Sequence, residues 1–247
     1  MSPKAPVSPE AAWQALREGN DRFVAGTMTH PSQGVDHRRE VSVRQHPFAV
    51  IFGCSDSRVG AELIFDRGLG DLFVVRTAGH VVDTTVIGSI EYGVDVLGVP
   101  LVVVLGHDHC GALQAAIDAL TTGKMPGGFV RAVVDRVIPS LVMPGQQDRH
   151  SRPDTPPSAA GDMGTGHAEP EPAAPSGGHE GAAPVDAALQ RQIHIPDDDA
   201  LRRQHVRATV QMLRTYSLSL ENAIAEGRCA VIGVEYDLAD GRARLVD

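Results

Sequence analysis

The chain has 247 residues, of which 42% are hydrophobic and 4% aromatic, and its formal net charge at pH 7 is -9. These proportions are typical of a soluble globular protein, and the acidic balance argues against a nucleic-acid backbone as the main partner. No apolar stretch approaches the roughly 18 residues of a membrane helix, and the N-terminus lacks the apolar centre of a signal peptide. We therefore expect a cytoplasmic protein that binds neither nucleic acids nor membranes.

The first residues predict an N-terminal helical arm. Ser8 is suited to cap a helix, and Pro9 suits its first position. Trp13, Leu16 and Phe23 then give this helix an apolar side. We expect that side to pack on the body of the protein or on a second subunit.

Four short apolar runs, rich in β-branched residues, predict buried strands. They cover residues 47–53, 71–76, 99–106 and 229–236. Apolar residues recur at helical spacing between and after them, at 87–97, 113–120, 129–138 and 206–224. This alternation predicts an α/β fold with a mostly parallel central sheet of about four to five strands, flanked by helices on both faces.

Residues 145–195 interrupt the pattern, because they are dense in proline, glycine and alanine and nearly lack large apolar side chains. Such a segment buries too little apolar surface to compensate for the entropy of ordering it. We expect a disordered insertion within a single domain of residues 1–247, since one sheet needs strands from both sides of it. Its histidines, His150, His167 and His179, are interpreted as solvated linker residues.

Polar side chains follow two of the predicted strands. Cys54 comes just after the first strand, and His107 and Cys110 come just after the third. Because ligands bind at the carboxyl ends of the strands in an open α/β sheet, these side chains are expected to converge. Two thiolates and one imidazole suit Zn²⁺, and three protein ligands leave a fourth position for water, which is typical of a catalytic site. For each residue taken alone, a buried structural role is the alternative.

Asp56 and Arg58 follow Cys54 in the same turn. A carboxylate there can accept a hydrogen bond from zinc-bound water, and a guanidinium can orient that carboxylate and keep it ionised. Zinc with two thiolates and a neutral imidazole carries no net charge, so it acidifies water less than an all-histidine site does, and help from Asp56 is expected. The alternative is a solvated surface ion pair.

These motifs together resemble the paired signatures of the β-class carbonic anhydrases, C-x-D-x-R and H-x-x-C. The resemblance covers most of the chain except the insertion. It implies a zinc lyase that holds one Zn²⁺ per chain and reversibly hydrates CO₂ to bicarbonate, by attack of zinc-bound hydroxide on CO₂. It also implies that Cys54, His107 and Cys110 are the zinc ligands and that Asp56 and Arg58 form the catalytic dyad.

The resemblance further implies a small apolar substrate pocket with one amide donor. Gln45 stands at the amide position, Phe73 and Tyr92 stand at pocket positions, and Gly111 matches a glycine whose backbone N–H can face the bound ligand. In this family the pocket is shared across a dimer interface. A homodimer or homotetramer is therefore implied here.

One departure concerns regulation. A subgroup of the family has a regulatory bicarbonate site marked by a tryptophan three residues before the first zinc cysteine. Ile51 stands at that position here, so we do not expect that regulation, although Arg76 matches another member of the site. Cys229 is interpreted as a structural thiol, and His80 and His109 as turn residues bonded to the backbone rather than as proton carriers.

The sequence also allows alternatives to CO₂ hydration to be stated and compared by their residues. Hydrolysis of carbonyl sulfide or carbon disulfide could use the same zinc site, and only assays with both substrates separate the two. A zinc- or bicarbonate-binding sensor without turnover would have a broken dyad or a fourth protein ligand, whereas Asp56 and Arg58 are both present. A thiol redox protein would need a C-x-x-C pair, which the sequence lacks.

Overall fold

The computed structural model of the chain describes residues 8–142 and 197–246. These residues belong to one compact unit, built from the chain on both sides of the segment between them. The predicted insertion at 145–195, with His150, His167 and His179, lies outside the described residues. Within the described part, no helix is both long enough and apolar enough to span a bilayer.

A five-stranded sheet forms the centre of this unit, and its strands follow the order β2-β1-β3-β4-β5. The strands are β1 (Ala49–Cys54), β2 (Leu72–Thr77), β3 (Leu101–His107), β4 (Ala230–Tyr236) and β5 (Ala243–Leu245). The first four are parallel, and β5 runs antiparallel to β4. The four predicted strands are confirmed to within two residues at each end, and the mostly parallel sheet is confirmed with them.

The strands differ in burial according to their place in the sheet. Every residue of β1 and β3 is buried, as predicted, because each strand has a neighbour on both sides. The prediction that β2 is buried is wrong, since its residues are half-buried or exposed. The reason is that β2 pairs only with β1 and forms an edge of the sheet.

Eight α-helices occur in the described residues. They are α1 (Pro9–Val24), α2 (Val35–Glu40), α3 (Ala61–Ile64), α4 (Thr84–Glu91), α5 (Gly111–Thr122), α6 (Val130–Val142), α7 (Asp198–Tyr216) and α8 (Leu218–Ala225). The predicted N-terminal helix is confirmed as α1, whose cap residue Ser8 accepts a hydrogen bond at Oγ from the backbone N–H of Ala11 at 3.2 Å. Leu16 of this helix is fully buried.

Helices cover both faces of the sheet. On one face, α1 and α3 pack on alternate residues of the central strands, such as Ile51. On the other face, α4, α7 and α8 pack on the residues between them, such as Phe52. Successive side chains of a strand point to opposite faces, so the continuous apolar runs provide for both layers at once. A third cluster, from α5, α6 and α7, packs beside Cys54 and Cys110 at the carboxyl end of the sheet.

Two predicted helices are interrupted. The apolar spacing over 206–224 predicts one helix, but the backbone of Ser217 is extended and separates α7 from α8. The Ser217 hydroxyl accepts from the N–H of Leu220 at 3.1 Å and donates to Glu91 at 2.6 Å, so it caps the second helix. The predicted helix over 87–97 also ends early, because α4 passes into a π-helical turn at Tyr92–Val96.

Candidate metal centre

Two sulfurs and one imidazole meet at the carboxyl end of the sheet. Cys54 ends β1, His107 ends the neighbouring parallel strand β3, and Cys110 caps α5 three residues later. The ligand atoms of these three side chains all lie within 4.8 Å of one another. All three residues are buried. The topology therefore brings together side chains that are 56 residues apart in the sequence.

The ring of His107 is oriented for metal binding. Its Nδ1 lies 2.7 Å from the carbonyl oxygen of Asp108, to which it donates a hydrogen bond. Its Nε2 is buried and has no hydrogen-bond partner among the described residues. A backbone acceptor on one ring nitrogen fixes the tautomer and leaves the lone pair of the other for a metal. A cation would satisfy the buried Nε2, which otherwise costs about 1–3 kcal/mol.

The donor set fits Zn²⁺. Two thiolates and one imidazole are ligands that zinc prefers, and three protein ligands leave one tetrahedral position open. Within residues 8–142 and 197–246, the only group of side chains close enough to share an ion consists of Cys54, His107 and Cys110. A hydrogen bond from Cys110 lowers the pKa of Cys54 to about 4, and the same contact raises the pKa of Cys110. A divalent cation between the sulfurs would favour the thiolate form of both.

Asp56 and Arg58 form a bidentate ion pair beside Cys54. Arg58 donates from Nε to Oδ1 of Asp56 at 2.9 Å and from Nη2 to Oδ2 at 2.8 Å, and its backbone N–H donates to Oδ1 at 2.9 Å. The side-chain hydrogen bond from Arg58 holds the pKa of Asp56 well below its usual range. The Asp56 side chain is 17% exposed whereas that of Arg58 is 52% exposed, so the carboxylate end of this pair is the sheltered one.

Comparison with known proteins identifies the family. The family model described as carbonic anhydrase matches residues 49–162. The chain is 48% identical to carbonic anhydrase 2 of Mycobacterium tuberculosis over 241 residues, which cover 98% of this chain and 94% of that one. The chain belongs to the β-class carbonic anhydrases. It is a zinc-dependent enzyme that catalyses the reversible hydration of CO₂ to bicarbonate.

Solved structures of carbonic anhydrases share the fold. A β-carbonic anhydrase of Coccomyxa, in complex with acetazolamide, superposes with a TM-score of 0.58 at 22% identity, covering 98% of this chain and 87% of that one. A structure from a pair of tetrameric β-carbonic anhydrases of Sordaria macrospora gives a TM-score of 0.56 at 23% identity, covering 84% of each chain. These similarities show that the α/β architecture is that of the β-class.

Arg76 contributes to this carbonic anhydrase in a way that the sequence did not reveal. The residue lies on β2, and its Nε donates to the carbonyl oxygen of Cys54 at 2.9 Å while its Nη2 donates to that of Asp56 at 2.6 Å. It therefore holds the backbone of the turn that carries Cys54 and Asp56. The sequence singled out Arg76 only through its match to a regulatory-site position, and the structure places it in β2 opposite Gly53 of β1.

Phe73 and Tyr92, two of the expected pocket residues, lie away from Cys54 of the same carbonic anhydrase chain. Phe73 pairs with Val50, whereas Cys54 pairs with Thr77, four residues further along β2. At about 3.3 Å per residue, the separation along the strand is about 13 Å. The rings of Phe73 and Tyr92 contact each other at 6.1 Å. Tyr92 is 46% exposed, and Gln45 is also exposed.

Gly111 does lie next to the expected metal ligands. It directly follows Cys110 and is the first residue of α5. A Cβ atom added to it would meet no other atom within 4 Å, so the space beside its backbone is open. The first N–H groups of a helix attract negative charge. This position is therefore suited to contact a bound anion.

The structure also locates the other residues discussed in the sequence analysis, His80, His109 and Cys229. The expectation that the His80 ring is bonded to the backbone is wrong, because both ring nitrogens are buried without a hydrogen-bond partner among the described residues. The His109 side chain is 80% exposed, and its Nε2 lies 3.6 Å from Oδ2 of Asp108. Cys229 is 3% exposed, and burial raises its pKa to about 11, which is expected of a structural thiol.

Proposed function

We propose that Cys54, His107 and Cys110 hold the single zinc ion of each chain and that CO₂ is hydrated at the remaining coordination position. The observation that carries this proposal is the meeting of three ligand atoms within 4.8 Å, with His107 Nε2 buried and otherwise unpartnered. Zinc, when bound, acts as a Lewis acid that lowers the pKa of water towards about 7. Side chains and backbone groups of the protein orient the water, bind CO₂ and contact the bicarbonate product.

Asp56 accepts a hydrogen bond from the reacting water and thereby directs a lone pair of its oxygen towards the carbon of CO₂. Arg58 donates twice to Oδ1 of Asp56 but only once to Oδ2, so Oδ2 keeps a lone pair for the water. Because the pKa of Asp56 is depressed, the carboxylate stays an acceptor throughout the working pH range. Arg76 contributes by fixing the backbone of this turn.

Gln45, Phe73 and Tyr92 bind the substrate, and a second copy of the chain supplies them. CO₂ is small and uncharged, so an apolar wall and one amide donor are what a protein can offer it. Within one chain, Phe73 lies about 13 Å along the sheet from Cys54, and the partly exposed ring of Tyr92 contacts that of Phe73 on the edge strand β2. The backbone N–H of Gly111 faces the product bicarbonate from the metal side.

The working enzyme is therefore a homodimer, or a homotetramer built from such dimers. The Sordaria macrospora relatives are described as tetrameric. We also propose a cytoplasmic location, which the three free cysteines support, since reduced thiols are typical of that compartment. A single domain of 1–247 is supported by the pairing of β3 with β4, because these strands come from opposite sides of residues 145–195.

Metal analysis and stopped-flow CO₂ hydration test the proposal on the purified full-length protein. We expect one zinc per chain in the wild type and in Asp56→Ala. Activity of Asp56→Ala should fall by about 10²-fold, the usual effect of removing one oriented hydrogen-bonding group from a catalytic site. Asp118→Ala removes a similar carboxylate from the exposed side of α5 and should behave as wild type.

Two results would contradict the proposal. Full activity of Asp56→Ala would rule out its role in orienting water. A protein that is active without zinc would rule out the ligand set.

A further inference from the structure

A small cavity lies against the metal ligands and is lined by polar groups that the catalytic scheme does not use. The volume within which the centre of a water molecule can lie is about 10 Å³. That is about the space that one water molecule needs. The polar and ligand side chains lining it, within the described residues, are His80, His107, Cys110, Arg202, His205 and Glu235.

His80 has an unmet need for hydrogen bonds at this cavity. The residue is 4% exposed, and neither of its ring nitrogens has a partner among the described residues. Its backbone is also in the left-handed region, with a φ of 40°. A buried polar group without a partner and a strained backbone both cost free energy, and such costs concentrate at functional positions. An apolar side chain would fill the same space without the first cost.

The neighbouring side chains do not meet this need. The ring of His205 lies 4.2 Å from that of His80, but its Nε2 is bonded to the carbonyl oxygen of Gly79 at 2.9 Å and its Nδ1 to Ser140 Oγ at 2.6 Å. Phe52 approaches His80 edge-on and offers no polar atom. Water in the cavity is the partner that remains. Burial keeps the pKa of His80 well below its usual value, so the neutral ring offers one donor and one acceptor.

The cavity reaches from the buried ligands towards the surface. Arg202 and Glu235 also line it, and Arg202 donates from Nε to Oε1 of Glu235 at 2.9 Å. The side chains of this ion pair are 16% and 19% exposed, whereas His107 is 2% exposed. Asp199, which is more exposed and also pairs with Arg202, is not part of the cavity lining. The same small cavity is thus lined both by the buried proposed ligands and by groups that touch solvent.

We propose that the cavity holds water positioned by His80, and that this water gives the proton released by CO₂ hydration a path from the metal centre to solvent beside Arg202 and Glu235. The inference rests on the proposed zinc site. Hydration of CO₂ by water forms bicarbonate and one proton, which leaves along hydrogen bonds without any change of oxidation state. His80 is a positioning residue in this path, because it acts through the water that it holds.

A structure of the zinc-loaded protein with ordered water tests the first part. We expect a water oxygen within about 2.7–3.2 Å of a ring nitrogen of His80. In His80→Phe, which keeps a ring but removes both polar atoms, that water should be absent. A dry cavity in the wild type would overturn the inference without touching the assignment of the zinc ligands.

Kinetics test the second part, since proton release affects kcat whereas kcat/KM reports the steps up to bicarbonate release. For His80→Phe in dilute buffer we expect kcat to fall about tenfold, kcat/KM to stay within about twofold, and zinc to stay at one per chain. Concentrated imidazole buffer should restore kcat by accepting the proton at the open side of the site. Equal losses in kcat and kcat/KM would show a merely structural role and overturn the path.

A second pair of variants guards against misfolding of His80→Phe. Glu235→Gln keeps the size of the side chain and an acceptor for Arg202, and it should lower kcat alone, by about threefold. Asp199→Asn removes a charge from the same arginine outside the cavity and should leave kcat unchanged. Unchanged kcat in both His80→Phe and Glu235→Gln would overturn the proton path. Loss of zinc or activity in the wild type would instead contradict the proposed function itself.

Discussion

The two ends of the paired strands β1 and β2 differ. One chain alone assembles the carboxyl end, whereas it leaves the amino end partly exposed. At the carboxyl end, Cys54 is buried within 4.8 Å of two further ligand atoms. Four residues earlier, Val50 faces the edge residue Phe73, whose aromatic partner Tyr92 is 46% exposed. This difference fits the proposed function, in which adjacent strand ends hold the metal within one chain and a second copy closes the substrate pocket.

His107→Ala disrupts the proposed metal centre at the carboxyl end of the sheet and should have the largest effect. The variant removes one of three ligands, so we expect loss of bound zinc and a fall in CO₂ hydration by more than about 10³-fold. Elemental analysis and stopped-flow hydration measure the two effects. His109→Ala is the matched control, because that side chain lies two residues away and is 80% exposed. A His107→Ala protein that keeps zinc and activity would show that the ion is held elsewhere.

Gln45→Ala tests the proposed substrate pocket, which one chain leaves exposed. If the amide donates to substrate, kcat/KM should fall by about 10²-fold while zinc is retained. Co-refolding this variant with His107→Ala then reveals whether Gln45 acts on its own chain or on its partner. If it acts across the interface, each mixed dimer contains one fully intact site, and a one-to-one mixture should recover about a quarter of wild-type activity.

The alternative outcome is equally clear. If Gln45 serves its own chain, no mixed dimer contains an intact site, and the mixture should show no more than the average of the two parents. That result would contradict the shared pocket and leave the zinc ligands unaffected.

The metal centre at the carboxyl end could be predicted from the sequence because its signals are local or topological. Cys54 and His107 each follow an apolar run, and parallel strands place such positions at one edge of the sheet. Asp56 and Arg58 are two residues apart, so their pairing needs no tertiary information. The pocket residue Phe73 followed only from the resemblance, since nothing in its own sequence context distinguishes a substrate wall from an ordinary edge strand.

Other features were beyond sequence reasoning for physical reasons. β5 has only three residues, too few for the alternation of Ala243, Arg244 and Leu245 to indicate a strand, so pairing with β4 defines it. The break at Ser217 was hidden because the apolar spacing continues through it, and only the capping contacts reveal it. His80 and His205 are 125 residues apart, and their ring contact depends on the packing of α7 against the turn after β2.

The hydrogen-bonded cluster around Asp66 should affect stability without affecting the metal centre or the substrate pocket. Asp66 is 2% exposed and accepts hydrogen bonds from Arg22 Nε at 2.6 Å, from the N–H and hydroxyl of Thr29 at 3.0 Å each, and from the N–H of His30 at 2.9 Å. Burial opposes ionisation, but these hydrogen bonds outweigh it and hold the pKa of Asp66 well below its usual value. The carboxylate thus fastens the chain after α1 to the chain after α3.

Asp66→Asn should lower the free energy of unfolding by about 3 kcal/mol at pH 7, because it leaves a buried cluster of donors without its charge. A depressed pKa contributes stability above the unfolded value of about 3.9, and the contribution disappears as pH falls through the folded value. The gap between wild type and variant in urea unfolding should therefore narrow below about pH 4. In the folded variant, kcat/KM should stay within about twofold of wild type at pH 7. A large loss of kcat/KM with little loss of stability would mean that this cluster, and not only the sheet edge, shapes the catalytic site.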